Sequence, residues 1–124
     1  MNKVIDIFLG LLLAVSSITC AQQTQSSSIT MQEFKERLSK DKNLIILDVR
    51  TPEELAGPLG KIDNVINIPI QNLEQRIDEL KSYKGKEILV ICRTQNRSAV
   101  AVNILQSKGY KAKNVLGGMT EFRK

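Results

Sequence analysis

The sequence predicts an α/β fold, a small parallel β-sheet with helices on both faces. Three observations lead there. Short apolar, β-prone runs recur at 43–49 (NLIILDV), 64–69 (NVINIP), 87–92 (EILVIC) and 114–118 (NVLGG), each of strand length. The stretches between them carry helix-start residues or helical periodicity, so strands and helices alternate. The runs at 43–49 and 87–92 are apolar almost throughout, as strands buried on both faces of a parallel sheet are.

The chain has 124 residues, enough for one domain with a core but not for two. Residues 1–20 are set apart as a leader. Lys3 precedes an apolar run from Ile7 to Ile18, which is too short to span a bilayer comfortably and reads as the apolar part of an export signal rather than a signal anchor. The run ends in SSITCAQ, which resembles a bacterial lipoprotein processing site with Cys20 as the lipidated first residue of the mature chain. Ser17 stands where leucine is usual there, and Thr19 where glycine or alanine is. Ordinary cleavage after Ala21, with Thr19 and Ala21 as the small pair, is the rival. Both routes predict an exported domain, periplasmic or anchored to a membrane through Cys20; stable anchoring takes more than one lipid chain. Residues 21–28, AQQTQSSS, are polar and of low complexity and read as a tether. The domain then spans 29–124.

It opens with a helix from Met31 to about Ser39. Thr30 is the expected N-cap, Glu33 is placed to complete a capping box, and Ile29 and Phe34 are spaced as a hydrophobic staple. After the strand at 43–49, Thr51 as N-cap, Pro52 at the first helical position and Glu54 closing a second box start a short helix at once. The strand at 64–69 is expected to be buried and is stopped by Pro69. Ile70, Leu73, Ile77 and Leu80 then fall on one helical stripe, with Glu74, Arg76, Asp78 and Lys81 opposite. From Ser98 to Lys108, Ala101, Ile104 and Leu105 mark a helix facing the core, and Gly109 is its C-terminal cap. No repeat of solenoid period is present.

Charge constrains partners little. The net charge is +5, the Lys and Arg residues are scattered, and only two Tyr and three Phe accompany them, so no nucleic-acid surface is indicated. If Cys20 is lipidated or removed, Cys92 is the one thiol left, and no structural disulfide forms. Two cysteines far apart and no histidine do not make a metal-ligand set. No cofactor is expected.

The stretch LVICRTQNRSAVAV, 89–102, is the most informative. Cys92 ends a strand, and the chain reverses over Arg93, Thr94, Gln95 and Asn96 to start a helix at Arg97 or Ser98. Ligands of such sheets bind where strands finish and helices begin, and Asp48 to Arg50 end a second strand expected to face Cys92 across a shared pocket. Amides in a tight strand-to-helix turn tend to point inward, and the helix N-terminus adds partial positive charge. A thiol at the centre of that cup is favoured as thiolate, the nucleophilic form, the more so if Arg93 and Arg97 lie close. The cup also suits an anionic substrate or an anionic adduct on sulfur. The plain alternative is a buried cysteine acting as a small hydrophobe, against which the polar, Arg-bearing loop speaks. Arg97 at a helix start is mildly unfavourable unless it has an anionic partner.

Four segments in this order, ILDVRTPEEL, VINIPI, VICRTQNRSAVAVNIL and VLGGM, resemble the single-domain rhodaneses over about residues 28–124. The resemblance implies a rhodanese-like α/β fold and a sulfurtransferase. Cys92 then takes sulfane sulfur from a small anionic donor such as thiosulfate, becomes a persulfide, and passes the sulfur to cyanide or a thiol. It also implies that the backbone amides of Arg93, Thr94, Gln95, Asn96, Arg97 and Ser98 hold the persulfide. Arg97 would orient an oxyanion, and Asp48 and Arg50 would brace the loop and the pocket rim, with Arg50 reaching substrate. Gln95 stands where this loop most often has glycine, so that position either avoids positive φ or is strained. The usual histidine before the second strand is missing, and Phe122 stands near where a tryptophan often occurs.

Two other readings remain. A cysteine phosphatase or arsenate reductase of similar fold places five residues between its cysteine and arginine, to fit a phosphate group; here four separate Cys92 from Arg97. A non-catalytic module that carries persulfide or binds a partner is the second.

Overall fold

The computed structural model describes residues 27–124. The leader, Cys20 and the tether up to residue 26 lie outside the described residues. Twelve short elements alternate along the chain: β1 (Ser28–Ile29), α1 (Met31–Lys40), β2 (Ile45–Asp48), α2 (Pro52–Leu55), β3 (Ile66–Asn67), a 3₁₀ turn (Ile70–Asn72), α3 (Leu73–Arg76), a second 3₁₀ stretch (Ile77–Tyr83), β4 (Glu87–Ile91), α4 (Asn96–Ser107), β5 (Lys111–Val115) and α5 (Gly118–Phe122). The strands form one sheet in the order β1-β5-β4-β2-β3, and every pairing is parallel. The expected α/β architecture is therefore present.

Strand side chains alternate between faces, and the sheet separates two apolar layers accordingly. On one face Leu47, Val49, Ile88, Val90 and Cys92 pack against Leu73, Ile77, Leu80 and the α4 residues Ala101, Val102 and Leu105. On the other, Ile46, Leu89 and Ile91 pack against Phe34 of α1 and Met119 of α5. Cys92 thus continues the Ile88, Val90 alternation and lies on the α4 side of the sheet.

Local signals worked where they were local. Thr30 Oγ1 accepts the Glu33 amide at 3.1 Å, and Ile29 and Phe34 are buried in one cluster. Only half of that capping box forms, because the Glu33 carboxylate turns to Arg37 at 2.8 Å. At α2 the full reciprocal box of Thr51 and Glu54 is made, with Pro52 leading the helix. Gly109 follows α4 with φ +86°, the left-handed residue a helix end asks for.

Four expectations need correction. Ser28, read as the end of the tether, lies in β1 and pairs with Asn114 of β5. The buried strand at 64–69 shrinks to the two half-buried residues of β3 at the sheet edge. Its bonding to β2 is partly taken over by the Asn67 side chain, which donates to the carbonyls of Asp48 (2.9 Å) and Arg50 (2.8 Å). The single helix expected after Pro69 is one turn of α-helix between two 3₁₀ stretches. Its buried residues Leu73, Ile77 and Leu80 recur at +4 and +3, a spacing that also fits the tighter helix. Finally, α4 starts at Asn96, one residue before Arg97.

Candidate active site

The turn from Cys92 to Ser98 is held from below. The Cys92 carbonyl accepts from the Met119 amide and the Arg93 carbonyl from the Thr120 amide, both at 2.9 Å. The Gln95 carbonyl accepts from Asn114 Nδ2 at 3.1 Å, and Gln95 Oε1 accepts from the Gly117 amide at 3.3 Å. All peptides here are trans, so each N–H points opposite to the carbonyl before it. The amides of Arg93, Thr94 and Asn96 therefore aim away from β5 and α5, and none from Arg93 to Ser98 donates to an acceptor among the described residues. The start of α4 also lacks a side-chain cap, leaving its first amides open to a ligand. Gln95 has φ −162°, outside the positive-φ region that calls for glycine.

Gly118 is what lets the turn sit so low. Its φ is +57°, and a Cβ there would lie 2.3 Å from the Thr94 carbonyl oxygen and 2.5 Å from that of Cys92. Gly118→Ala will lift the turn. Because the turn is at the surface, it gives way in part, and the expected stability loss is about 1–3 kcal/mol. Reaction at Cys92 should slow about a hundredfold, since ångström-scale misplacement of reacting groups costs that much. Urea midpoints and the rate at which Cys92 reacts check both.

Cys92 is 1% exposed. Its Sγ lies 3.1 Å from Ser98 Oγ, which in turn donates to Asn114 Oδ1 at 2.6 Å. The Asn114 amide is oriented by the Gln95 carbonyl, which accepts from Nδ2 and so turns Oδ1 toward Ser98. A hydroxyl has one hydrogen. While Ser98 gives it to Asn114, the thiol must be the donor in the Cys92–Ser98 contact; a thiolate requires the hydroxyl to swing toward sulfur.

The predicted arginines part company. Arg93 is exposed. Arg50, expected to reach substrate, is turned inward: it is 1% exposed, pairs with Asp48 at 2.8 Å, and gives its remaining donors to the carbonyls of Gly60 (2.8 Å) and Glu54 (3.4 Å). A buried guanidinium needs all those acceptors, so Asp48 and Arg50 brace the segment after β2 from inside. Arg97 is partly exposed and forms a two-pronged bridge to Glu54, 2.6 Å and 2.7 Å. Glu54 and Asn114 are the site residues that sequence reasoning missed. Glu54 was visible only as a helix cap, and Asn114 only as the polar residue opening the expected last strand.

The Arg97 guanidinium, with smaller help from Thr51, holds the Glu54 carboxyl down at about 2. Its folded value is depressed, so the bridge stabilises fully above the ordinary carboxylate value of 4.5 and is lost as pH falls toward 2. The thermal midpoints of wild type and Glu54→Gln should differ by a constant amount above about pH 5 and converge below it. Both side chains are about one-third exposed, which keeps the gap within about 1 kcal/mol.

Wide grooves occur elsewhere. One of about 740 Å³ is lined by Glu33, Arg37, Lys40, Lys86 and Glu87 at the opposite end of the sheet, where β2 and β4 begin. Arg37 is already paired there with Glu33 and Glu87, and no cysteine lines it.

The profile of the Rhodanese-like domain matches residues 30–124. The chain belongs to the rhodanese-like domain family. A rhodanese-like domain protein of Staphylococcus aureus is 39% identical, with a TM-score of 0.66 over 76% of this chain and 88% of that one. A rhodanese-related protein of Thermoplasma volcanium is 38% identical, with a TM-score of 0.68 over 77% and 89%. YrkF of Bacillus subtilis, provisionally named a sulfur carrier protein, is 35% identical over 95 residues; the match takes in 76% of this chain but only 49% of YrkF. A protein of Allochromatium vinosum named as a sulfurtransferase is 28% identical over 94 residues, 75% of this chain and 84% of the relative. Relatives of this rhodanese domain thus carry the names of sulfurtransferases and of sulfur carriers.

Proposed function

We propose that the domain moves sulfane sulfur through a persulfide on Cys92. The Cys92 thiolate attacks the outer sulfur of a donor such as thiosulfate, the S–S bond breaks, and sulfite leaves with the electron pair. A thiophilic acceptor, cyanide or a thiol, then attacks the outer sulfur of the persulfide and the Cys92 thiolate is the leaving group. No outside oxidant or reductant is needed. The observation that carries this reading is the turn from Cys92 to Ser98, with its carbonyls engaged by β5 and α5 and its amides left undonated. Undonated amides in so short a turn suit a sulfur atom bearing negative charge on Sγ. With four residues between Cys92 and Arg97 the turn is a small one, better matched to one sulfur than to a phosphate group.

A second reading is favoured by the 1% exposure of Cys92 and by the name of YrkF: a carrier that holds the persulfide until a partner takes it. One experiment separates the two. The purified protein is incubated with thiosulfate and cyanide, thiocyanate is followed, and the intact protein is weighed. A gain of one sulfur atom with turnover supports the transferase, and the same gain without turnover the carrier. Absence of any gain from thiosulfate or from a thiol persulfide would overturn both.

We also read the leader as placing the domain outside the cytoplasm, on a lipid at Cys20 or free after cleavage at Ala21. Labelling with a radioactive fatty acid should mark the wild type and not Cys20→Ala; an unlabelled wild type leaves cleavage after Ala21 as the route.

A further inference from the structure

The cations around Cys92 are almost all spent on carboxylates of the same chain. Arg50 is paired with Asp48 in the interior. Arg97 would be the natural fork for an oxyanion, but both of its terminal nitrogens already bond to the two oxygens of Glu54. That carboxylate is itself fixed by the reciprocal cap with Thr51 at the start of α2. The bridge holds Arg97 firmly charged through Glu54 first, with a smaller contribution from the nearby Cys92. Of the two arginines in the turn, Arg97 is bridged to Glu54 and the exposed Arg93 has no side-chain partner among the described residues.

A donor with a charged oxyanion head, such as thiosulfate, must therefore displace Glu54 to gain the Arg97 fork, or bind on the turn amides and exposed Arg93 without it. A thiol persulfide has no such requirement. Its transferable outer sulfur meets the turn amides directly, the S–S bond breaks, and the thiolate leaves with the electron pair. Resting on the sulfur-transfer reading above, we propose that Glu54 is a positioning residue that occupies Arg97 and sets the site's preference for thiol persulfide over oxyanionic donors.

Glutathione persulfide and thiosulfate are the probes. Wild-type protein should load sulfur onto Cys92 at least about tenfold more efficiently from the persulfide, the scale of one charge-assisted contact. In Glu54→Gln the cap with Thr51 survives, since glutamine serves in a capping box, but Arg97 is released. The KM for thiosulfate should fall about tenfold with kcat changed much less, while loading from glutathione persulfide stays within about twofold. Adding Arg97→Ala to Glu54→Gln should cancel the gain for thiosulfate. Glu54→Asp, too short to keep the two-pronged bridge, is the second variant and should shift the preference the same way. A wild type that prefers thiosulfate, or variants whose donor preference is unchanged, overturns the proposal while leaving sulfur transfer intact. A wild type that gains no sulfur from either probe instead brings down the sulfur-transfer reading on which it rests.

Discussion

Cys92→Ser is expected to eliminate sulfur loading, with transfer lowered at least about a thousandfold, because a hydroxyl in the same place is a far weaker nucleophile than a thiolate. The substitution is gentle on the fold. Serine is close in size, and its hydroxyl can donate to Ser98 Oγ as the thiol does while Ser98 remains bonded to Asn114. A urea midpoint within about 1 kcal/mol of wild type is therefore expected alongside the lost activity. Intact mass after exposure to donor is the deciding measurement. A sulfur atom still gained by the serine variant would move the chemistry to another residue, and among the described residues there is no second thiol.

Asp48→Ala has the largest expected effect on stability. Asp48 is fully buried, and its carboxylate takes the Arg50 side chain at 2.8, 3.0 and 3.2 Å and the Arg50 amide at 3.0 Å. Removing it strands a guanidinium in the interior with only the carbonyls of Gly60 and Glu54 left to it. Breaking a buried pair from one side typically costs about 3–5 kcal/mol, a large share of the about 5–15 kcal/mol that holds a domain together. The expected result is a strongly lowered urea midpoint, or a chain that fails to accumulate folded. Arg50→Lys should not restore what Arg50 does, because an ammonium lacks the flat fork that serves two carboxylate oxygens and two carbonyls together. An Asp48→Ala protein as stable as wild type would mean that water reaches Arg50.

Legibility in the sequence followed the range of the interaction. The cap formed by Thr51 and Glu54 spans three residues and was visible, as were the apolar β2 and β4 whose burial on both faces suppresses alternation. Cys92 stood out because a polar turn and a helix follow it directly. What stayed hidden depends on partners far along the chain. Glu54 reaches Arg97 across 43 positions, and Ser98 reaches Asn114 across 16. Nothing local marks Arg50 as buried, since an arginine after a strand is ordinarily solvated; the acceptors that make burial tolerable come from Asp48, Glu54 and Gly60. The strand at Ser28 and Ile29 is too short to carry a pattern and exists only because β5 offers it an edge.

That edge orders events during synthesis. Among the described residues β1 pairs with β5, Ser28 with Asn114 and Ile29 with Val115, and the floor beneath the reactive turn is supplied by Met119 and Thr120, well after Cys92 along the chain. Non-local pairing of this kind waits on both partners. A nascent polypeptide still lacking β5 and α5 therefore carries its sulfur atom on a turn that nothing yet holds in shape.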